Sequence, residues 1–125
     1  MRINIIILIL LLIGCSKNSI PTTLNECYTV LNSKLSDSAI HEFKAMSENE
    51  AISASHISLG MWIRNNWGLW KSSELPKHFT ELGLKHPDDI SSVILTSYHR
   101  TLNNKEVRLE EQIEFYKQYW EGKTK

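Results

Sequence analysis

Arg64, Asn65 and Asn66 stand in a row inside the stretch LGMWIRNNWGLW, between Trp62 and Trp67, with Trp70 just beyond. Three of the four tryptophans of the chain therefore fall within nine residues. A guanidinium presents a planar fork of donors and an amide presents both donor and acceptor, so this group could grip a carboxylate or another anion between indole walls. Further along, His86-Pro87-Asp88-Asp89 sets an imidazole beside two carboxylates, the side-chain types from which a general base or part of a metal site is made. A plainer arrangement joins the two groups: Arg64 pairs with Asp88 or Asp89, and the asparagine amides cap backbone carbonyls at a helix exit. Arg64, Asn65, Trp70, His86 and Asp88 are the candidate binding residues, together with Tyr119 near the C-terminus.

Other chemistries find little support. His41, His56, His78, His86 and His99 form no H-x₃-H pair and no H-E-x-x-H, so no metal site is expected. The serines lack a G-x-S-x-G setting, and no glycine-rich phosphate loop is present. No catalytic constellation and no cofactor are expected, and the chain is read as non-enzymatic. Lys and Arg balance Asp and Glu at fourteen each, with no basic stripe, which argues against nucleic-acid binding.

The N-terminus carries the most specific address. One positive charge, Arg2, precedes nine consecutive Ile and Leu residues from Ile5 to Ile13. That run is too short to span a hydrocarbon core and reads as an export-signal h-region. Leu12-Ile13-Gly14-Cys15 resembles the bacterial lipobox. The resemblance implies acylation of Cys15, removal of residues 1–14 and anchorage by lipid rather than by a spanning helix. Ser16 after the cysteine points to outer-membrane sorting, facing the periplasm. The remaining 111 residues suit one domain, and since Arg2 leaves with the signal, thirteen basic residues then face fourteen acids. Residues 15–22 read as the acylated cysteine and a polar tether. Cys27 is left as the only thiol, with no intrachain disulfide available, and reads as a small buried hydrophobe.

Residues 23–122 must position the candidate groups, and they read as five to six short helices in one all-α bundle. Thr23-x-x-Glu26 and Ser47-x-x-Glu50 are capping boxes, and Ser36 or Asp37 opens a second helix. Ile52, His56, Leu59 and Ile63 carry the third helix into the tryptophan motif, with Asn-Trp-Gly as its exit. Trp62 and Trp67 read as core, whereas Trp70 is open to either role. Ser72 or Ser73 starts a fourth helix with Leu75, Phe79 and Leu82 inward and Gly83 past its end. Pro87 opens a fifth helix along Ile90, Val93, Ile94 and Tyr98, ended by Asn103-Asn104, with His99 partly exposed. The last helix, Leu109 to Trp120, turns Ile113, Tyr116 and Trp120 inward, with Gly122 after it. Its Phe115 and Tyr119 share a separate face, suited either to wide burial or to a partner.

The blocks Gly60-Met61-Trp62-Ile63-Arg64-Asn65-Asn66-Trp67-Gly68-Leu69-Trp70 and His86-Pro87-Asp88-Asp89-Ile90 through His99-Arg100 resemble a family of small bacterial domains of unknown function. The likeness runs from about Leu31 to Trp120. It implies a shared helical fold and supplies no reaction, cofactor or catalytic residue. The expected role is a lipid-anchored envelope protein that binds another protein, of which an immunity-type inhibitor of a toxin is the most concrete form. The alternative is a small-ligand receptor or enzyme using a pocket around Arg64, His86 and Asp88.

Overall fold

The first three helices each begin where a short side chain satisfies an orphan N–H. In a computed structural model describing residues 19–123, the Thr23 hydroxyl accepts from Glu26 N and opens α1 (Leu24–Lys34). The Glu26 carboxylate reaches back one residue further than a capping box requires, taking Thr22 N at 2.7 Å and the Thr22 hydroxyl at 2.9 Å. Ser36 caps α2 (Asp37–Ala45) and Ser47 caps α3 (Glu48–Ser55) in the same manner. The signal segment 1–14 and Cys15 lie outside the described residues.

The third helix then departs from the regular repeat. A π-helical turn (His56–Gly60) joins α3 to α4 (Met61–Asn66), so one rod carries two hydrogen-bonding patterns, with a π turn between two α segments. It exits at Gly68, whose φ of +63° lets Leu69 N return to Arg64 O at 3.1 Å. After α5 (Glu74–Glu81), Gly83 at φ +101° closes the helix, with Gly83 N on Thr80 O and Leu84 N on Phe79 O. Leu84 is buried beyond it, the apolar contact such a motif calls for. Leu82 was expected inward but is exposed, because it is the cap residue where the helix stops turning.

Helix α6 (Pro87–Leu102) is the hub and touches every other element. Ile90, Val93, Ile94, Leu95 and Tyr98 are buried on it, as are Ser91, Ser97 and His99. A helix enclosed on most sides needs small or hydrogen-bonded polar residues between its apolar ones. His99 corrects the sequence reading: it is 3% exposed rather than partly exposed, with Nε2 2.9 Å from the Met46 carbonyl. A carbonyl only accepts, so Nε2 carries the proton. Tyr98 stacks on Phe43 and donates to Asn32 Oδ1 at 2.8 Å. With Cys27, Leu31, Ile63, Trp67, Leu75 and Phe79 these residues form one continuous core, each large side chain contributing about 1.5–3 kcal/mol by leaving water.

Helix α7 (Leu109–Lys123) lies on α6 alone among the close helix pairs. Gln112 ties its first turn down by donating to Val107 O at 2.8 Å and to Ser97 Oγ at 3.1 Å. Only Ile113 is fully buried along it. Gly122 sits inside the helix instead of after it. Among the described residues the fold is six helices, counting α3, the π turn and α4 as one, with no strand. No helix there is long and apolar enough to cross a membrane.

Candidate functional site

Arg64 reaches its place through the irregular turn. Its guanidinium donates from Nη1 to Ser91 Oγ at 2.8 Å and from Nη2 to the His56 carbonyl at 3.1 Å. Its Nε lies 3.2 Å from Asp88 Oδ1. The Arg64 side chain is 7% exposed and that of Asp88 60%, so the pair has a buried cation and a wet anion. Gly60 makes room for this: a Cβ there would stand 3.0 Å from Arg64 Nη1 and 3.3 Å from Ser55 O. The Ser91 hydroxyl in turn donates to Asp88 O at 2.9 Å. One charged fork thus pins the first turn of α6 against the π turn, and the two motif blocks meet through Arg64 and Asp88.

The tryptophans divide as the helix exit dictates. Trp67 is buried and meets half-buried Trp62 edge-on, with centroids 5.7 Å apart. Lys34 Nζ lies over the Trp62 ring, 5.3 Å from its centre. The turn at Gly68 carries Trp70 off the helical face it would otherwise share with Ile63 and Trp67, and it is 65% exposed. Asn65 is exposed, and Asn66 Nδ2 donates to Trp62 O at 2.9 Å, the capping role expected of it.

Trp70 faces a second set of rings from α7. His86 stacks on Trp120 with centroids 3.8 Å apart and planes 22° from parallel. The Trp120 indole N–H donates to Asp89 Oδ2 at 2.8 Å. Tyr119 packs edge-on against Trp120, and Phe115 edge-on against Tyr116. The Tyr116 phenol pKa is pushed above its ordinary value by burial, opposed by a bond with Ser92 and aided by the charge of Asp89. Between Trp70 and these residues runs an open groove of about 480 Å³ with Asp88 and Asp89 in its lining. Phe115 is 64% exposed, Tyr119 48% and Trp120 39%. Wide burial of the last helix is therefore overturned, and Trp120 covers the start of α6 instead of entering the core.

On the far side of Trp70 lies a wider hollow of about 640 Å³ that includes Lys71, Lys77 and Lys85. Trp70 is thus a ridge between a carboxylate-bearing groove and a lysine-bearing one. Among the sequence-derived candidates, Trp70, His86, Asp88 and Tyr119 line the same groove, and Asn65 does not line it. Arg64 sits behind it with its nitrogens engaged and lines no part of it. The pocket imagined around Arg64, His86 and Asp88 accordingly lacks its cation. Trp120, expected inward, and Asp89, expected only as a partner of Arg64, line the groove as well, as does Phe115, which shares with Tyr119 the face offered to a partner. The surplus of aromatics in EFYKQYW, which set Phe115 and Tyr119 apart, was the available signal for Trp120 too. Among the described residues no group of three His, Cys, Asp or Glu is placed to hold a metal ion.

Residues 20–102 match the family described as Domain of unknown function (DUF6794), and the chain belongs to that family. The match spans α1 through α6 and contains both motif blocks, but it ends before α7 rather than reaching Trp120. Trp70 and His86 to Asp89 thus come from the matched part and Phe115 to Trp120 from beyond it. No curated protein and no solved structure matches the chain.

Proposed function

We propose that this member of the family is a non-enzymatic binding module held at the cell envelope, and that it docks a protein partner on the groove between Trp70 and α7. Four exposed aromatic residues bordering one groove carry this reading. Large rings left in water beside a concave surface are the usual composition of interface anchors, and apolar residues scattered singly are not. Two of the rings are held before any partner arrives: Trp120 by the His86 stack and Asp89, and Tyr119 edge-on against Trp120. Such preorganisation lowers the entropy lost on binding.

The envelope part rests on the lipobox resemblance at Cys15, which makes a lipid on that cysteine the membrane contact and the outer membrane, facing the periplasm, its place. An immunity-type inhibitor, holding a toxin at the envelope, is the most concrete form of the role. Cys15→Ala should release the protein from the membrane fraction, and unchanged partition would overturn the anchor. For docking, a photoreactive residue replaces Trp70 or Phe115 in the full chain within cells. Adducts of defined mass from these positions, with none from exposed Asn25 on α1, are the expected result. Equal yields at all three positions, or none at any, would refute the assignment of the face.

A further inference from the structure

We infer that the groove receives a cationic side chain, an arginine carried by a basic segment of the partner protein. This rests on the docking face proposed above and names the chemistry it selects. The first support is charge. The groove at Trp70 is lined by Asp88 and Asp89, and the shallow hollow that shares Phe115 with it is lined by Glu110, Glu111 and Glu114. Neither lining contains a lysine or an arginine. Part of this charge is met from outside the linings: Arg64 lies behind Asp88, Arg108 is 3.5 Å from Glu111, and Lys117 is 3.7 Å from Glu114. The last two pairs are exposed and hold their partners weakly. Asp89 is bonded to the neutral indole N–H of Trp120, which leaves its charge in place.

The second support is the rings. Aromatic faces present negative potential and attract a cation lying above them. The chain already shows this on the same helix, where Lys123 Nζ lies 5.3 Å from the Tyr119 ring centre, a cation that an incoming guanidinium displaces from that ring. An anion entering the groove would meet two carboxylates and the ring faces together. A neutral apolar residue would gain contact area but strip water from Asp88, whose side chain is 60% exposed. A guanidinium avoids both penalties, because it can stack flat on the Trp70 indole while its fork engages a carboxylate. Beyond the Trp70 ridge three lysines outnumber one carboxylate, Glu81, and repel the same group, so the two sides of Trp70 discriminate.

The test titrates the full chain, in neutral detergent, with the blocked peptide GRGRGRGRG and with its citrulline counterpart, which keeps the shape and removes the charge. Tryptophan fluorescence and the indole N–H proton resonances report binding. Arginine should bind at least about fivefold tighter than citrulline, with the advantage shrinking as salt rises. Trp70→Ala and Tyr119→Ala replace exposed side chains, and each should weaken the arginine peptide about threefold or more. Equal affinity for the two peptides, or an arginine affinity indifferent to both variants, would overturn the inference. If the adducts at positions 70 and 115 persist while the arginine preference is absent, only the cationic assignment fails. If the adducts are absent as well, the docking face fails with it.

Discussion

Replacing Arg64 by alanine removes three contacts of one buried guanidinium and leaves its acceptors behind. The His56 carbonyl, in the π turn, loses its 3.1 Å donor, and Ser91 Oγ loses a 2.8 Å one. Stranding a buried acceptor costs about 1–3 kcal/mol. The two methylenes lost from the stem, Cγ and Cδ, add roughly 1.6 kcal/mol of lost burial. Against this stands the desolvation that the guanidinium no longer suffers, which offsets part of both. The net loss is about 2–4 kcal/mol, or roughly 10–25 °C in Tm for a domain of this size. Asp88→Asn should behave differently although it breaks the same ion pair. Asp88 is 60% exposed on its side chain, so the pair contributes at most about 1 kcal/mol from that end. Its place in the first turn of α6 adds about 0.3–1 kcal/mol of helix-end stabilisation. Thermal and urea denaturation followed by circular dichroism measure both variants. If Asp88→Asn destabilises as much as Arg64→Ala, the ion pair rather than the buried fork is what Arg64 supplies, and this reasoning fails.

Gly60→Ala should destabilise by about 1–3 kcal/mol through overpacking, since the new Cβ meets Arg64 Nη1 at 3.0 Å and Ser55 O at 3.3 Å. Its φ of −60° is ordinary for alanine, so a rise in Tm would show that the guanidinium moves aside freely. Cys27 is fully buried, and burial, with the charge of Glu26, pushes its thiol up to about 12. It should resist iodoacetamide at pH 8 in the folded chain and react after unfolding, and labelling at equal rates would contradict its place in the core. The Glu48 carboxylate is lowered from its ordinary 4.5 chiefly by its hydrogen bond to Arg100, at 2.6 Å from Oε1 to Nε, against opposing desolvation. A lowered folded pKa gives stability that is complete above the ordinary value and is lost as pH falls through the depressed one. Glu48→Gln should therefore lose stability at pH 7 and show a flatter decline below about pH 4.5, both read from urea midpoints.

Much of the helix punctuation was legible because caps are local. Thr23, Ser36 and Ser47 accept from the N–H three residues on, and Gly68, Gly83 and Asn104 take the positive φ at helix ends. The Arg64–Asp88 pairing was legible for a different reason. A lone arginine among indoles needs a counter-charge, and the second block offered two. The π turn was not legible, because widening one turn leaves no mark on the spacing of Ile52, His56, Leu59 and Ile63. His99 was misplaced because a helix surrounded on several sides buries polar residues as well as its apolar stripe. Trp120 was misplaced since helical spacing names the residues that share a face without saying what meets that face. For Trp120 it is the His86 ring and the Asp89 carboxylate.

The buried and exposed parts of the site are mechanically one. Arg64 is out of reach of any partner, yet it holds Asp88 and, through Ser91, the backbone of the first turn of α6. Asp89 is the next residue in that turn and accepts from Trp120, while His86 at the cap of the same helix stacks on Trp120. A shift of that turn would therefore move the wall of the groove that faces Trp70. Trp70 itself hangs from the exit of α4, the helix that carries Arg64. Both walls are referred to one guanidinium, whose three nitrogens reach three partners that the single nitrogen of an ammonium would not span together. Arg64 thus acts on recognition by positioning. Its loss should loosen the groove even in conditions where the domain stays folded, with the indole N–H resonance of Trp120 as the sensitive reporter.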